Sequence, residues 1–244
     1  MQTEFNKIAR RYKNAATNNV LRHYSFVPTF LRLLRKIKRS TVLVLACGEG
    51  FYARFIKQEG AVKVVGVDVS SKMIFLARQE EKAKPLGIKY FNYDVKKFPK
   101  IGNFDLVTAT FLLCFADSKE NLLKMCKNIY KNLKKGGKFT SINNNPLIPL
   151  KFDKKYNLTI KGKKHLKEGD ILMVTIYKGD KKICSFKNYF WKKETYNQAL
   201  RQAGFKIIKW HKPIIAKEGF KKFGRDFWKQ YLNKSPFMAI ECIK

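Results

Sequence analysis

Acidic side chains are scarce in this sequence of 244 residues, which has 18 aspartates and glutamates against 52 lysines and arginines and a formal net charge of +34. An excess of this size can attract nucleic acid or an anionic surface. The basic residues are nevertheless spread along the chain, and arginine, the better reader of bases and phosphates, is much rarer than lysine. We therefore interpret the charge as a general enrichment in lysine, and a nucleic-acid partner is the less favoured alternative.

Long apolar runs and cysteine motifs are also missing. No run approaches the roughly 18 apolar residues of a membrane helix, so no membrane span is expected, and residues 1–14 lack the apolar segment of a secretory signal. The five cysteines are scattered, with no CxxC pair and no Cys/His spacing typical of zinc. We expect no metal site, and buried free thiols in a reducing, cytoplasmic environment.

Strand-like and helical patterns alternate through the first two thirds of the chain. Residues 3–39 read as helical, and further helices are predicted at 51–59, 72–83 (capped by Ser70 or Ser71) and 118–137, the last with Ser118 as its cap and Gly136–Gly137 as its end. Strands are predicted at 41–46, 62–70, 88–95 and 138–146 and within 104–115. This alternation predicts an α/β fold with a doubly wound parallel sheet, which binds ligands at the carboxyl ends of its strands.

The pattern changes after Pro149. β-type runs broken by Gly162, Gly169 and the turn KGDKK predict a small antiparallel insert of two to four strands over residues 150–192. A helix ended by Gly204 and strands over 205–210 and 235–244 follow. We expect one domain, residues 1–244, with a helical cap at 1–40 and the insert over the substrate side.

The stretch ACGEG follows the first predicted strand and opens a helix. Gly48, Gly50 and Ala53 fit the pattern G-x-G-x-x-A of dinucleotide sites, where glycines let a ligand approach the backbone. Asp68 closes the second strand at the spacing of an acid that accepts hydrogen bonds from ribose hydroxyls. NAD and S-adenosylmethionine both carry an adenosine ribose, so these residues leave both cofactors open.

The end of the third strand favours S-adenosylmethionine. Asp94 suits an adenine amino group, and Val95 would supply an apolar wall beside it. A dinucleotide needs a site for its second nucleotide, and we find no sequence feature for one.

The order of the motifs LACGEGFYAR, VVGVDVSSKMIFLAR, YDV, FDLVTATFLL and LLKMCKNIYKNLKKGGKF resembles that of class I S-adenosylmethionine-dependent methyltransferases. The segments FNKIARRY, NNNP, NYFWKKETYNQALRQAGF and IKWHKPIIAKEGFKKFGRDFWKQYL further resemble the toxoflavin-synthase-like branch, which N-methylates an azapteridine-like heterocycle. The resemblance covers nearly the whole chain. It implies a mostly parallel seven-stranded sheet, S-adenosyl-L-methionine as cofactor, and methyl transfer to a small molecule, at a nitrogen of a planar heterocycle.

Carried over residue by residue, the resemblance implies a cofactor site at the strand ends, closed by two residues of the N-terminal helices. The implied cofactor residues are Ala46, Cys47, Gly48, Gly50, Asp68, Val69, Met73, Asp94, Val95, Thr110, Phe111, Leu112, Tyr12 and Arg22. One position departs from the family, whose loop usually reads LDLACGEG: Val44 replaces an acid that helps to bind the cofactor's ammonium. Loss of a shielded carboxylate costs on the order of 1.5–3 kcal/mol, so we expect weaker cofactor binding, and tighter binding in Val44→Asp.

For the acceptor, we expect aromatic side chains of the insert and late strands to flank the heterocycle. The candidate substrate residues are Asn144, Trp191 and Trp210, with Phe190 beside them, and the candidate catalytic residues are His211, Asn143 and Tyr189. Aromatic residues at strand positions also fit a packed core, and Asn143–Asn145 also fit a turn built around Pro146.

Three other functions fit parts of the sequence. An RNA methyltransferase would use the basic surface for phosphates, although no RNA-binding signature is present. A non-catalytic relic that still binds the cofactor would explain Val44, and a dehydrogenase would explain the glycine pattern alone.

Overall fold

The computed structural model describes residues 2–34, 37–147 and 154–244. Its strands form one seven-stranded and one three-stranded sheet. The strands are β1 Thr41–Leu45, β2 Lys63–Asp68, β3 Lys89–Asn92, β4 Phe104–Thr110, β5 Leu133–Asn144, β6 Leu158–Lys161, β7 Ile171–Lys178, β8 Lys181–Tyr189, β9 Ile207–His211 and β10 Phe237–Ile243. The α-helices are α1 Gln2–Thr17, α2 Val27–Leu34, α3 Phe51–Gln58, α4 Ser71–Ala83, α5 Lys119–Lys131, α6 Lys193–Gln202 and α7 Lys217–Asn233.

The large sheet has the strand order β3-β2-β1-β4-β5-β10-β9. Neighbouring strands from β3 through β5 are parallel, whereas β10 runs antiparallel between β5 and β9. The predicted mostly parallel, doubly wound seven-stranded sheet is therefore confirmed. The strand order reverses at β1, between β2 and β4, so a crevice for ligands is expected at the carboxyl ends of these strands.

Two apolar cores cover the two faces of this sheet. Successive side chains of a strand point to opposite faces, so Val42 and Val44 belong to the first core, with α2, α3, α7 and the three-stranded sheet. Leu43 and Leu45 belong to the second core, with α5 and α6. The first face therefore carries the helical cap and the insert that could enclose a ligand.

Serine caps begin two of the helices as predicted. The Ser70 hydroxyl accepts a hydrogen bond from the Met73 amide at 3.2 Å, and the Ser118 hydroxyl accepts one from the Asn121 amide at 3.1 Å. Each cap satisfies an amide at the start of its helix that has no partner within the helix.

The predicted end of α5 at Gly136–Gly137 is wrong. The helix stops at Lys131, and β5 begins at Leu133, which pairs with Phe104 before the register shifts. Gly136 has a φ of 73° within this irregular part of the strand. The glycine pair therefore shapes a bulge in β5, where a left-handed residue is needed, instead of ending a helix.

The insert forms the three-stranded antiparallel sheet β6-β7-β8. Its predicted start at residue 150 lies outside the described residues. The hydroxyl of Ser70 donates to Asn6 Oδ1 at 2.7 Å, which ties α1 to the loop after β2, and α1 also contacts β8.

Helix α7, which the sequence patterns did not predict, contains Gly224 with a non-helical φ of 77°.

Two further expectations concern the cysteines and membrane-spanning helices. All five cysteines are free and buried, as predicted. Throughout the part of the chain that the structure describes, no helix combines the length and apolarity needed to cross a membrane.

Candidate cofactor and acceptor site

Two adjoining cavities lie at the carboxyl ends of β1, β2 and β4. The β2-side cavity, of about 650 Å³, is bounded by Asp68, Val69, Met73 and Val95. The insert-side cavity, of about 840 Å³, extends from the ACGEG loop to the inner face of the three-stranded sheet. The wall residues common to both cavities are Tyr12, Ala46, Gly48, Thr110, Phe111 and Phe186.

The backbone turns sharply where the two cavities meet. Ala46, after β1, has a φ of 49°, and Phe111, after β4, has a φ of 58°. Residues other than glycine rarely adopt this left-handed conformation, and such residues cluster at ligand sites. The two turns bring the backbone of both loops to the shared wall.

The two glycines of the loop have different roles. Gly48 has a φ of +56°, and a Cβ atom there would meet nothing within 4 Å, so the backbone faces open space in the cavity. A Cβ atom on Gly50 would lie 2.7 Å from the Tyr90 hydroxyl, and Gly50 lines neither cavity. Gly48 thus leaves room for a ligand, whereas Gly50 allows close packing on Tyr90.

Asp68, the last residue of β2, is fixed by the backbone around it. Its Oδ2 accepts from the Gly48 amide at 2.9 Å, and its Oδ1 accepts from the Ser70 amide at 2.8 Å. The side chain is buried, and burial raises its pKa to about 6 although both hydrogen bonds favour the charged form. A carboxylate accepts about four hydrogen bonds, so Asp68 retains acceptor capacity toward the β2-side cavity.

Aromatic rings from the helical cap and the insert cover the β2-side cavity. The Phe5 ring of α1 lies 5.5 Å from that of Phe115 and 5.2 Å from that of Phe186, measured between centroids. Asp94 lies outside the cavity wall, where its Oδ1 accepts from the Lys96 amide at 2.9 Å. The cavity is therefore mainly apolar, with the Asp68 carboxylate at one side.

An ion pair forms one wall of the insert-side cavity. Arg22 Nη1 lies 2.8 Å from Glu49 Oε1, and the guanidinium lies 4.5 Å from the centre of the Phe51 ring. Burial acts to lower the pKa of Arg22, but the charge and hydrogen bond of Glu49, together with Tyr12 and Tyr52, outweigh this effect, and the pKa lies above its usual range. Glu49 is a site residue that the sequence patterns did not predict.

Two amide side chains on the largely apolar inner wall of this cavity have buried atoms without hydrogen-bond partners. The apolar residues of this wall include Phe26, Leu158, Val174, Ile176, Phe186 and Phe237. Both amide atoms of Asn144 and the Oδ1 atom of Asn188 are buried without a hydrogen-bond partner among the described residues. Because each such atom costs about 1–3 kcal/mol, the two amides are candidates for contacts with a ligand.

The structure brings together most of the predicted cofactor residues. Those in the cavity walls are Tyr12, Arg22, Ala46, Cys47, Gly48, Asp68, Val69, Met73, Val95, Thr110, Phe111 and Leu112. Gly50 and Asp94 are not among them. Val44 is only 2% exposed and belongs to the first core, so its side chain lines neither cavity.

The predicted tryptophans lie elsewhere. Trp191 Nε1 donates to the Ala116 carbonyl at 2.9 Å, and Trp210 Nε1 donates to Asn197 Oδ1 at 2.9 Å. Both rings contact the second core, on the helix-covered face opposite the insert, and Phe190 also lines neither cavity. The expected aromatic flank is therefore corrected: the rings in the insert-side cavity come from other positions, chiefly Phe26, Phe186 and Phe237.

The three candidate catalytic side chains also lie outside both cavities. His211 Nε2 is 3.0 Å from Glu241 Oε2 near the edge of the sheet. Asn143 is engaged at both ends, since its amide donates to Ser141 Oγ and its Oδ1 accepts from the Leu113 amide. Tyr189 borders a separate charged cleft. These positions correct the expectation that the three residues face a substrate.

Comparisons with known proteins agree with this architecture. A crystal structure of an S-adenosylmethionine-dependent methyltransferase from Mesorhizobium loti superposes with a TM-score of 0.66 at 18% sequence identity, covering 94% of this chain and 100% of that one. Residues 42–137 match the model of the methyltransferase domain family. The chain has the class I methyltransferase fold.

Two curated enzymes are similar to part of the chain. The N-demethylindolmycin N-methyltransferase of Streptomyces griseus is 27% identical over 168 residues, which cover 67% of this chain and 68% of that enzyme. The ubiquinone biosynthesis O-methyltransferase of Coxiella burnetii is 31% identical over 112 residues, covering 45% of this chain and 46% of that enzyme. In these alignments the chain spans 68% of the Streptomyces griseus enzyme and 46% of the Coxiella burnetii enzyme.

Proposed function

We propose that the chain is an S-adenosylmethionine-dependent methyltransferase that transfers a methyl group to a nitrogen of a small planar heterocycle. The observation that carries the proposal is the pair of adjoining cavities at the carboxyl ends of β1, β2 and β4, which meet at Ala46, Gly48 and Phe111. One cavity suits the cofactor's adenosine and the other suits an acceptor. The shared wall is then the place where methyl transfer occurs.

The residues of the β2-side cavity fit an adenosine group. Gly48 leaves open space beside the loop, and the Asp68 carboxylate is held in place to accept hydrogen bonds from ribose hydroxyls. Val69, Met73 and Val95 supply apolar contacts for a base. When bound, S-adenosylmethionine supplies a methyl group on a positively charged sulfur.

The chain's own contribution to the reaction is alignment and exclusion of water. Tyr12, Phe111 and Phe186 line the junction, and aromatic faces attract a cationic group. Because the leaving group of the reaction is neutral, orientation and desolvation supply much of the rate enhancement. No general base is required when the acceptor nitrogen has a free lone pair.

Three features support a small-molecule acceptor that is methylated at a nitrogen. The insert-side cavity is covered by β6–β8 and the helical cap, which suits a free small molecule. The relative from Streptomyces griseus is an N-methyltransferase of N-demethylindolmycin. The C-terminal segments quoted above resemble the toxoflavin-synthase-like branch, to which we assign the chain. The free thiols favour a cytoplasmic location.

Calorimetric titration of the chain with S-adenosylmethionine, and separately with NADH, tests the cofactor assignment. We expect S-adenosylmethionine to bind well below millimolar concentration, and Asp68→Ala to weaken this binding. NADH binding in its place would favour a dehydrogenase. Incorporation of a labelled methyl group into a panel of nitrogen heterocycles and RNA tests the acceptor, and labelling of RNA alone would overturn the small-molecule assignment.

A further inference from the structure

We infer that Asn144 and Asn188 together select an uncharged acceptor that presents a hydrogen-bond donor and a hydrogen-bond acceptor on one edge, as a lactam does. This inference rests on the proposed function, because that function assigns the insert-side cavity to the acceptor. It adds the chemical class of the acceptor and the two side chains that recognise it.

Asn188 is a polar residue on the apolar inner face of the insert. Side chains on alternate positions of β6, β7 and β8 face the first core, and those that reach the cavity include Leu158, Val174, Ile176 and Phe186. Asn188, two residues after Phe186, occupies the same face, is 1% exposed and leaves its Oδ1 without a partner among the described residues. An apolar residue would satisfy the fold better at this position.

Asn144 differs from both of its asparagine neighbours. Asn143 accepts from the Leu113 amide in the turn after β4 and donates to Ser141 Oγ within β5. Asn145 donates to the Ser235 carbonyl and accepts from the Leu147 amide. Asn144 lines the cavity, is 6% exposed and has neither amide atom paired within the described part of the chain. Two of three consecutive asparagines thus have structural roles, and the third is left free for a ligand.

The charges of the cavity wall favour a neutral ligand. The guanidinium of Arg22 and the carboxylate of Glu49 are paired with each other at 2.8 Å. Among the described wall residues, no other side chain is charged. A cationic amine or an anionic carboxylate bound against Phe186 and Ile176 would therefore lose its hydration without gaining an unpaired counter-charge.

The hydrogen-bonding capacity of the two amides defines the edge that they can bind. A side-chain amide offers two N–H donors and a carbonyl acceptor. Asn144 can therefore pair with both the carbonyl and the N–H of a lactam, and Asn188 Oδ1 provides a second acceptor. Apolar and aromatic walls are suited to the faces of the same ring.

The test compares two ligands that share a fused ring system. Quinazolin-4-one presents a lactam edge, whereas quinazoline lacks both the carbonyl and the N–H. Their binding is measured by calorimetry to the full chain in the presence of saturating S-adenosylhomocysteine. We expect the wild-type protein to prefer quinazolin-4-one by about tenfold or more. Equal binding of the two, or binding of neither, would overturn the inference.

Leucine variants identify the residues that are responsible for the preference for quinazolin-4-one. Asn144→Leu and Asn188→Leu are expected to abolish most of the preference while S-adenosylhomocysteine affinity and the melting temperature are maintained, because each change removes an unpaired polar group. Asn145→Leu, the matched control, is expected to lower the melting temperature and keep the preference. Retained preference in both cavity variants would refute the assignment, and alanine variants replace any leucine variant that does not fold.

The outcomes also separate this inference from the proposed function. Binding of S-adenosylhomocysteine without a lactam preference overturns only the acceptor class. A lactam preference that depends on Asn144 and Asn188, without any binding of the cofactor product, supports the recognition pair and overturns the methyltransferase assignment.

Discussion

Arg22 and Glu49 form an ion pair that links the helical cap to the cofactor loop, with Nη1 and Oε1 2.8 Å apart. Their side chains are 9% and 8% exposed. Arg22 begins the π-helical turn that precedes α2, and such turns are frequent at functional sites. Since both residues line the insert-side cavity, the pair fixes the wall of the site as well as the position of the cap.

The first prediction concerns the loss of one partner of this pair. Arg22→Met leaves the Glu49 carboxylate buried without its counter-charge, so we expect the free energy of unfolding to fall by about 3–5 kcal/mol. The double variant Arg22→Met/Glu49→Gln leaves no uncompensated charge and is expected to recover part of the loss. Urea unfolding of the two single variants and the double variant measures the effect. Simple additivity of the two single losses would contradict a coupled pair.

The second prediction separates backbone strain from ligand contact at Gly48. Gly48 and Gly87 have φ values of +56° and +77°, and a Cβ atom on either would meet nothing within 4 Å. Alanine in the left-handed region costs about 1–2 kcal/mol, so both alanine variants should lose similar stability. Only Gly48→Ala should lose affinity for S-adenosylmethionine, by about tenfold or more, because its methyl group occupies the cavity. Equal affinities in calorimetry would show that the cofactor does not approach Gly48.

The position of the β2-side cavity was largely predictable because its determinants are local. Strand ends, a glycine loop and an acid at a fixed spacing occur within short segments, and the parallel sheet brings those segments together. Asp68 and Val95 therefore lie in the cavity wall, as their positions at the end of β2 and shortly after β3 imply. Gly50 lies outside both cavity walls: its φ of +90° and the close approach of Tyr90 both require glycine, and no local pattern contains the contact with Tyr90.

The acceptor half was less predictable because it depends on which face each residue occupies. Trp191 and Trp210 are of a residue type that is common at binding surfaces, yet both contact the second core. The informative signal was the alternation of Cys184, Phe186 and Asn188, whose side chains are all buried on one face of β8. Reading that alternation requires the register of the insert against the cap, which is set by tertiary packing.

The third prediction concerns the pH dependence of cofactor binding. Burial raises the pKa of Asp68 to about 6, above the ordinary value of 3.8 for an aspartate. The ionised form therefore destabilises the free protein, and protonation on acidification relieves that cost. Ribose hydroxyls donate to the ionised form. We therefore expect the dissociation constant of S-adenosylmethionine to rise as pH falls below 6, by up to about tenfold per unit.

The control for this pH dependence is Asp68→Asn, which keeps one acceptor oxygen and does not titrate. Calorimetry between pH 5 and pH 8 should show that the variant binds S-adenosylmethionine more weakly than the wild type at neutral pH. Its dissociation constant should also change less with pH, because no proton is linked to binding at this residue. An equal loss of S-adenosylmethionine affinity at low pH in the wild type and in Asp68→Asn would show that another group titrates.

The fourth prediction revises the expectation for Val44→Asp. Val44 is 2% exposed, lies in register with Gly66 and Thr108 on the neighbouring strands, and packs in the first core. An aspartate there would bury a carboxylate whose one polar neighbour in register is the Thr108 hydroxyl, so we expect the unfolding free energy to fall by about 2–3 kcal/mol. Affinity for S-adenosylmethionine should not improve.

Val42→Asp is the matched comparison, since Val42 is equally buried in the same core but two residues farther from the loop. Thermal unfolding with and without saturating S-adenosylmethionine compares the two variants. Equal stabilisation by the cofactor would show that an acid at residue 44 does not reach it. Tighter binding by Val44→Asp than by the wild type would instead show that the carboxylate contacts the cofactor's ammonium. The valine would then account for a weakened cofactor site, as the family pattern first implied.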